Sequence, residues 1–148
     1  MNSPEFPSDS TPAITPSMVN AAVAELWTAK TGQQLCTEVS PVHAVGRLEV
    51  SPESIRPGGF VSGPTQFGLA DAVLWYLTFG VLGRVEPMAL TSELSIRYLR
   101  PAQGKVLWAH ADLEKAGRTS IVGTVRLWMD DQPDRRVSAA QGTYALPR

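Results

Sequence analysis

The chain holds one cysteine, two histidines, almost no net charge, and no apolar run long enough to cross a bilayer. Each shortage excludes a class of protein. Cys36 alone cannot form an internal disulfide, so nothing in the sequence calls for an oxidising compartment. A net charge of −1, from 13 basic and 14 acidic residues, lacks the basic excess of a nucleic-acid binder. His43 and His110 have no metal-ligand spacing around them, so they read as surface histidines and no metal is expected. The apolar run from Ala72 to Leu82 is too short for a membrane span. The opening MNSPEFPSDSTPA lacks the basic start and apolar centre of a signal peptide, so a soluble cytoplasmic protein is expected. Residues 1–13, rich in Ser and Pro, read as a mobile tail before one domain over residues 14–148.

What is present is one unusual stretch, RPGGFVSGPTQFGLADAVLWYLTFGVLGR, from Arg56 to Arg84. After a glycine-rich turn and Pro64 it runs apolar for about four helical turns, with Asp71 the only charge between the bounding arginines. Its apolar residues, Leu69, Val73, Leu74, Trp75 and Phe79 among them, point all round the axis, the mark of a helix enclosed on most sides. Isolating an ionised carboxylate there costs several kcal/mol, roughly, so an unpaired Asp71 must be hydrogen-bonded, protonated or facing a wet cleft. Each of these choices raises the odds of a functional site. The plainer alternative is that Asp71 bonds a backbone amide or sits at the helix edge.

Around this helix the chain alternates in type. Thr15 followed by Pro16 marks a helix start, and Val19, Ala22, Val23, Leu26 and Trp27 recur at helical spacing as a stripe that packs on the domain, ending before Thr31-Gly32. Val42 to Val50 switches to period two, with Val42, Ala44, Gly46, Leu48 and Val50 on one face, and is a strand. Residues 51–59 read as a loop. Gly63-Pro64 opens the central helix and leaves the amides of Thr65 and Gln66 as orphans at its positive end. Four further strands follow over 89–99, 105–115, 119–129 and 136–146, read as an antiparallel meander. In the first of them Leu90, Leu94, Ile96 and Tyr98 alternate against Thr91, Glu93, Ser95 and Arg97. Trp108 and Trp128 fall on the face opposite the core, which suggests cover by another subunit; the bland reading is two scattered exposed rings. The fold class is α+β, one long central helix wrapped by a curved antiparallel sheet.

The segments GGFVSGPTQFGLAD, TSELSIRYLRPAQGK, LEKAGRTSIVGTV and VSAAQGTYAL together resemble the PaaI-like, 4-hydroxybenzoyl-CoA thioesterase-like branch of the hot-dog acyl-CoA thioesterases, over roughly Val42 to Leu146. The resemblance implies a hot-dog fold and puts Asp71 on the family's catalytic acid. It puts Thr91 on a hydroxyl that orients water, and Gly63 on the glycine that follows the family histidine. That histidine's position holds Ser62 and the family asparagine's position holds Arg56, so two polar groups that help hold the thioester are replaced. Ser62 either donates in place of the histidine or caps the helix, and capping is favoured. Arg56 either pairs with Asp71 across an interface or points into solvent.

The resemblance further implies hydrolysis of an acyl-CoA thioester, with Asp71 as general base or nucleophile and the Gly63 amide on the oxyanion. In relatives the site lies between two subunits, so a homo-oligomer is expected, a dimer or a dimer of dimers (homotetramer). Phe60, Phe67, Leu74 and Trp75 would line a tunnel for an apolar or aromatic acyl group, and Arg118 leads Arg100 and Arg136 as a coenzyme phosphate ligand. No cofactor is expected beyond the coenzyme A of the substrate. The competing expectations are a non-catalytic hot-dog protein that binds acyl thioesters and, third, a hydratase, which wants a histidine near the acid.

Overall fold

The structure is a computed structural model that describes residues 13–27 and 34–148. The expected tail, apart from Ala13, and the expected end of the first helix at Thr31-Gly32 lie outside the described residues. Helix α1 spans Pro16–Leu26. Thr15 Oγ accepts the Met18 N–H at 3.2 Å, and Pro16 occupies the first turn, where its missing N–H costs nothing. Val19 and Val23 are buried, but Leu26 and Trp27 are 52% and 56% exposed, so the expected stripe reaches the core only over its first half.

Strand β1 (Gln34–Val39) pairs with β2 (His43–Glu49). A single 3₁₀ turn at Pro52–Ser54 leads to a small hairpin of β3 (Ile55–Arg56) and β4 (Phe60–Val61), where a plain loop was expected. Helix α2 runs Gly63–Leu82 and stops at Gly83, whose φ of 72° is the left-handed conformation that glycine adopts without steric cost. Then come β5 (Leu90–Tyr98), β6 (Val106–Ala116), β7 (Ser120–Met129) and β8 (Arg136–Ala145).

Six strands form one antiparallel sheet in the order β1-β2-β6-β7-β8-β5, and α2 touches all six. Period-two patterning sets its buried face: Leu107, Ala109 and Ala111 of β6 and Ile121, Val125, Leu127 and Met129 of β7 face the helix. The meander reading holds for β6-β7-β8 and fails for β5. Because β2 takes the free edge of β6, β5 lies at the far edge beside β8. Close helix–sheet contact depends on two glycines directly opposite each other, Gly123 and Gly142. A Cβ on either would stand 2.8 or 2.9 Å from a methyl of Leu74, so the sheet is scooped where the helix lies deepest.

The helix is not enclosed all round. Phe67 is 39% exposed, a Cβ on Gly68 would meet nothing within 4 Å, and Asp71, Ala72 and Trp75 are only half-buried. These positions are three or four apart and form one open stripe along α2, which is the face that carries the carboxylate.

Candidate active site

Asp71 is not unpaired. Thr91 Oγ donates to Asp71 Oδ1 at 2.7 Å, and the Tyr144 hydroxyl stands 2.6 Å from the same oxygen and 3.0 Å from the Asp71 main-chain carbonyl. Asp71 Oδ2 accepts no hydrogen bond among the described residues. The two donors sit on neighbouring strands: Thr91 of β5 is directly opposite Tyr144 of β8. A β-bulge between Thr91 and Glu93 produces this. The extra residue flips the alternation, so Thr91 shares the helix-facing side with Leu94 and Ile96, while Leu90 is 58% exposed. Strict alternation places Thr91 on the opposite face from Leu94 and Leu90 inward; the bulge overturns both placements, and Tyr98, at 51% exposed, also lies outside the core.

Asp71, Thr91 and Tyr144 line a cavity of about 410 Å³ whose other walls include Trp75, Tyr76, Val23 of α1 and Trp27, the residue that caps α1. Trp27 and Trp75 meet edge to face with centroids 6.5 Å apart, and Trp75 packs in turn on Phe79 at 4.8 Å. At another wall Gln34 Nε2 donates to the Tyr76 hydroxyl at 3.2 Å. Burial pushes the Tyr76 phenol up to about 12. Burial first, and its hydrogen bond to Asp71 second, also raise Tyr144 above the usual phenol range. Both phenols therefore stay protonated at neutral pH and present O–H donors.

A second cleft, about 710 Å³, opens at the start of α2 and is lined by Gly63, Arg56, Phe60, Gln66, Tyr98 and Arg100, among others. Ser62 is the N-cap: its Oγ accepts the Thr65 N–H at 3.2 Å and its carbonyl accepts the Gln66 N–H at 3.1 Å. The two amides expected to be orphans are thus satisfied. In the first turn the N–H with no acceptor among the described residues is that of Gly63, two residues before Thr65; its carbonyl accepts the Tyr98 hydroxyl at 2.9 Å.

Within one protomer the expected site residues therefore divide. Asp71, Thr91 and Trp75 line the first cavity; Gly63, Arg56 and Phe60 line the second. Arg56 is exposed and its Nε donates to the Pro57 carbonyl at 3.3 Å, with no contact to Asp71 in the same chain. Arg118 is exposed in the turn between β6 and β7. Leu74, expected in the acyl tunnel, is 2% exposed and packed on the sheet glycines, so it serves the core. Phe67 lies on the open stripe of α2 and lines neither cavity.

Sequence reasoning missed Tyr144, Tyr76 and Trp27. The available signal for Tyr144 was its position on the inward face of β8 at the strand's end, the one phenol on a face otherwise made of the small residues Ser138, Ala140 and Gly142. On the outer face of the sheet Trp108 and Trp128 are cross-strand partners, stacked at 6.4 Å, with the Arg47 guanidinium 5.3 Å over Trp108. They are half-buried by each other and are not scattered. His43 and His110 are stacked at 5.5 Å beside them, each against a carboxylate, Glu38 at 3.2 Å and Asp112 at 3.0 Å. Among the described residues no group of three His, Cys, Asp or Glu is placed to hold a metal ion, and no helix is long and apolar enough to cross a membrane.

A long helix lying against a six-stranded antiparallel sheet in this order, with a half-buried carboxylate on its open stripe, defines a hot-dog protein. The model of the thioesterase superfamily matches residues 58–135. A candidate thioesterase from Silicibacter sp. TM1040 is 31% identical, over 91% of this chain and 93% of that one, with a TM-score of 0.81. A mutant form of the phenylacetic acid degradation protein PaaI of Thermus thermophilus shares the fold at 18% identity, over 77% of this chain and 93% of its own, with a TM-score of 0.65. A Streptococcus mutans protein bound to acetyl CoA does so at 21%, over 83% and 96%, with a TM-score of 0.68. No curated protein matches the sequence. The chain belongs to the thioesterase superfamily.

Proposed function

We propose that this protein hydrolyses the thioester of an apolar or aromatic acyl-CoA, with Asp71 as the reacting carboxylate. The observation that carries the reading is the Asp71 carboxylate itself: two hydroxyls hold one oxygen at 2.6 and 2.7 Å, and the other faces no protein donor in a cavity walled by Trp27 and Trp75. In the general-base form, Asp71 Oδ2 takes a proton from a water molecule and the water oxygen bonds to the thioester carbonyl carbon. The carbonyl oxygen becomes an oxyanion. Collapse re-forms the carbonyl and breaks the C–S bond, and the departing thiolate takes the proton back from Asp71, leaving a free acid and a free thiol. Thr91, whose one proton is directed at Asp71, keeps lone pairs that orient the water. In the nucleophilic form Oδ2 bonds to the carbonyl carbon directly and the C–S bond breaks to release the thiolate; water then cleaves the resulting anhydride, returning the Asp71 carboxylate and the free acid and giving its second proton to the thiolate.

The oxyanion needs a donor, and the Gly63 N–H at the positive end of α2 fits that task. It lines a different cleft from Asp71 in one chain, which supports a site shared between two protomers, Asp71 from one and Gly63 from its partner. The open stripe of α2 and the edge strand β5 are the surfaces such a pair would join. Arg56, Phe60 and Arg100 at that second cleft would flank the coenzyme arm, with Arg118 a further phosphate ligand from the exposed turn. Coenzyme A arrives with the substrate, and the reaction calls for no other cofactor. With Ser62 and Arg56 where the resemblance implies histidine and asparagine, the expected rate is modest.

Thiol release from a panel of acyl-CoA esters tests the reading. Wild type is expected to favour apolar and aromatic acyl groups, and Asp71→Ala to lose at least about a hundredfold in kcat. Release independent of Asp71 would refute the assignment; acyl-CoA binding with no release by wild type would leave a binding protein instead.

A further inference from the structure

The Tyr144 hydroxyl is placed by more than packing. The residue is 5% exposed, near the C-terminal end of β8, with Ile121 opposite on β7 and Thr91 opposite on β5. Its ring is therefore fixed from both sides. From that position the one hydroxyl stands 2.6 Å from Asp71 Oδ1 and 3.0 Å from the Asp71 carbonyl oxygen, so a single group spans the side chain and the backbone of the same residue. Thr91 approaches the same Oδ1 from the neighbouring strand at 2.7 Å.

A carboxylate on a helix has two equivalent oxygens and one free rotation between them. Here both protein hydroxyls converge on Oδ1, and none reaches Oδ2. We infer that Tyr144 is a positioning residue: with Thr91 it locks the rotation of the Asp71 carboxylate, assigns Oδ1 to structure and leaves Oδ2 as the oxygen that reacts. The inference rests on the reading of Asp71 as the reacting acid. It goes further in giving the two oxygens different tasks and in assigning the lock to a strand outside the helix. Tyr144 suits a fixed donor, because a phenol this deeply buried does not ionise near neutral pH. The ionisable side chains lining the cavity are Asp71, Tyr76 and Tyr144, so Asp71 is the one carboxylate there.

Tyr144→Phe removes the hydroxyl and keeps the ring, so the strand packing survives. Infrared difference spectra, wild type against Asp71→Asn at neutral pH without substrate, isolate the Asp71 carboxylate stretches. In Tyr144→Phe the separation between the antisymmetric and symmetric stretches is expected to change, because one oxygen loses a donor, and kcat to fall about tenfold with KM within about twofold. A role in folding alone would move the thermal midpoint and leave the carboxylate stretches where they were. As a check that needs no Tyr144 variant, the Tyr144 hydroxyl proton in wild type is expected as a slowly exchanging downfield NMR signal that moves upfield in Asp71→Ala, where only the main-chain carbonyl remains as its acceptor. Unchanged stretches and an unchanged kcat in Tyr144→Phe would overturn the inference, as would absence of that signal in wild type. Changed stretches in a protein that releases no thiol would uphold the lock and reject the hydrolase reading, so the two failures are distinct.

Discussion

Asp71 owes its standing to its neighbours. A lone acid in an apolar helix is legible from sequence because its desolvation has to be offset by something, and that something turned out to be two hydroxyls on the sheet. The hydroxyls themselves were unequally legible. Thr91 came from the family resemblance, while simple alternation put it on the wrong side of β5, since a bulge leaves no mark in a sequence without glycine at the site. Tyr144 reads as an ordinary inward strand residue until the helix is laid over it. Thr91→Val keeps the shape and removes the donor, so steady-state kinetics on this variant are expected to show kcat lowered about tenfold with little change in KM. A variant with wild-type kcat would deny Thr91 any part in the chemistry.

At the scale of elements, the helix starts were the most legible features, because caps are local chemistry: Thr15-Pro16 and Ser62-Gly63-Pro64 open α1 and α2. Strand β1 went unread. Its buried residues, Cys36 and Val39, are three apart across a bulge, so the period-two signal is broken within six residues. The pairing of β5 with β8 was equally hidden, since sequence order favours neighbours and only the claim of β2 on the edge of β6 displaces β5. Helix α1 gained a task that its stripe did not announce. Its last residues carry Trp27 out to the wall of the Asp71 cavity, against Trp75. Trp27→Ala is therefore expected to widen the acyl pocket, shifting kcat/KM at least about tenfold toward bulkier acyl-CoA esters, as one methylene in such a pocket is worth. Competition assays with paired esters read that ratio, and an unchanged ratio would place the acyl group elsewhere.

In the proposed reading the whole molecule carries two half-sites. Asp71 with its hydroxyls lies on one flank of α2, and the unaccepted Gly63 N–H lies at its start in a separate cleft. A chain built this way is expected to work as a closed pair in which each cleft completes the other's, as isologous contacts allow. The stacked Trp108–Trp128 face on the far side of the sheet is then available for a second interface. Sequence alone reached the expectation of a shared site through family likeness, and could not see that the two halves line different cavities in one chain. The most direct test uses two inactive variants. Asp71→Asn removes the acid, and Gly63→Pro removes the N–H at a place where Ser62, at φ −67° and ψ 154°, already has the extended backbone that precedes proline. Co-expressed with different tags and purified as a mixed pair, they retain one intact composite site, so thiol release is expected at about half the wild-type rate per pair. A mixed pair as inactive as its two parents would contradict the account.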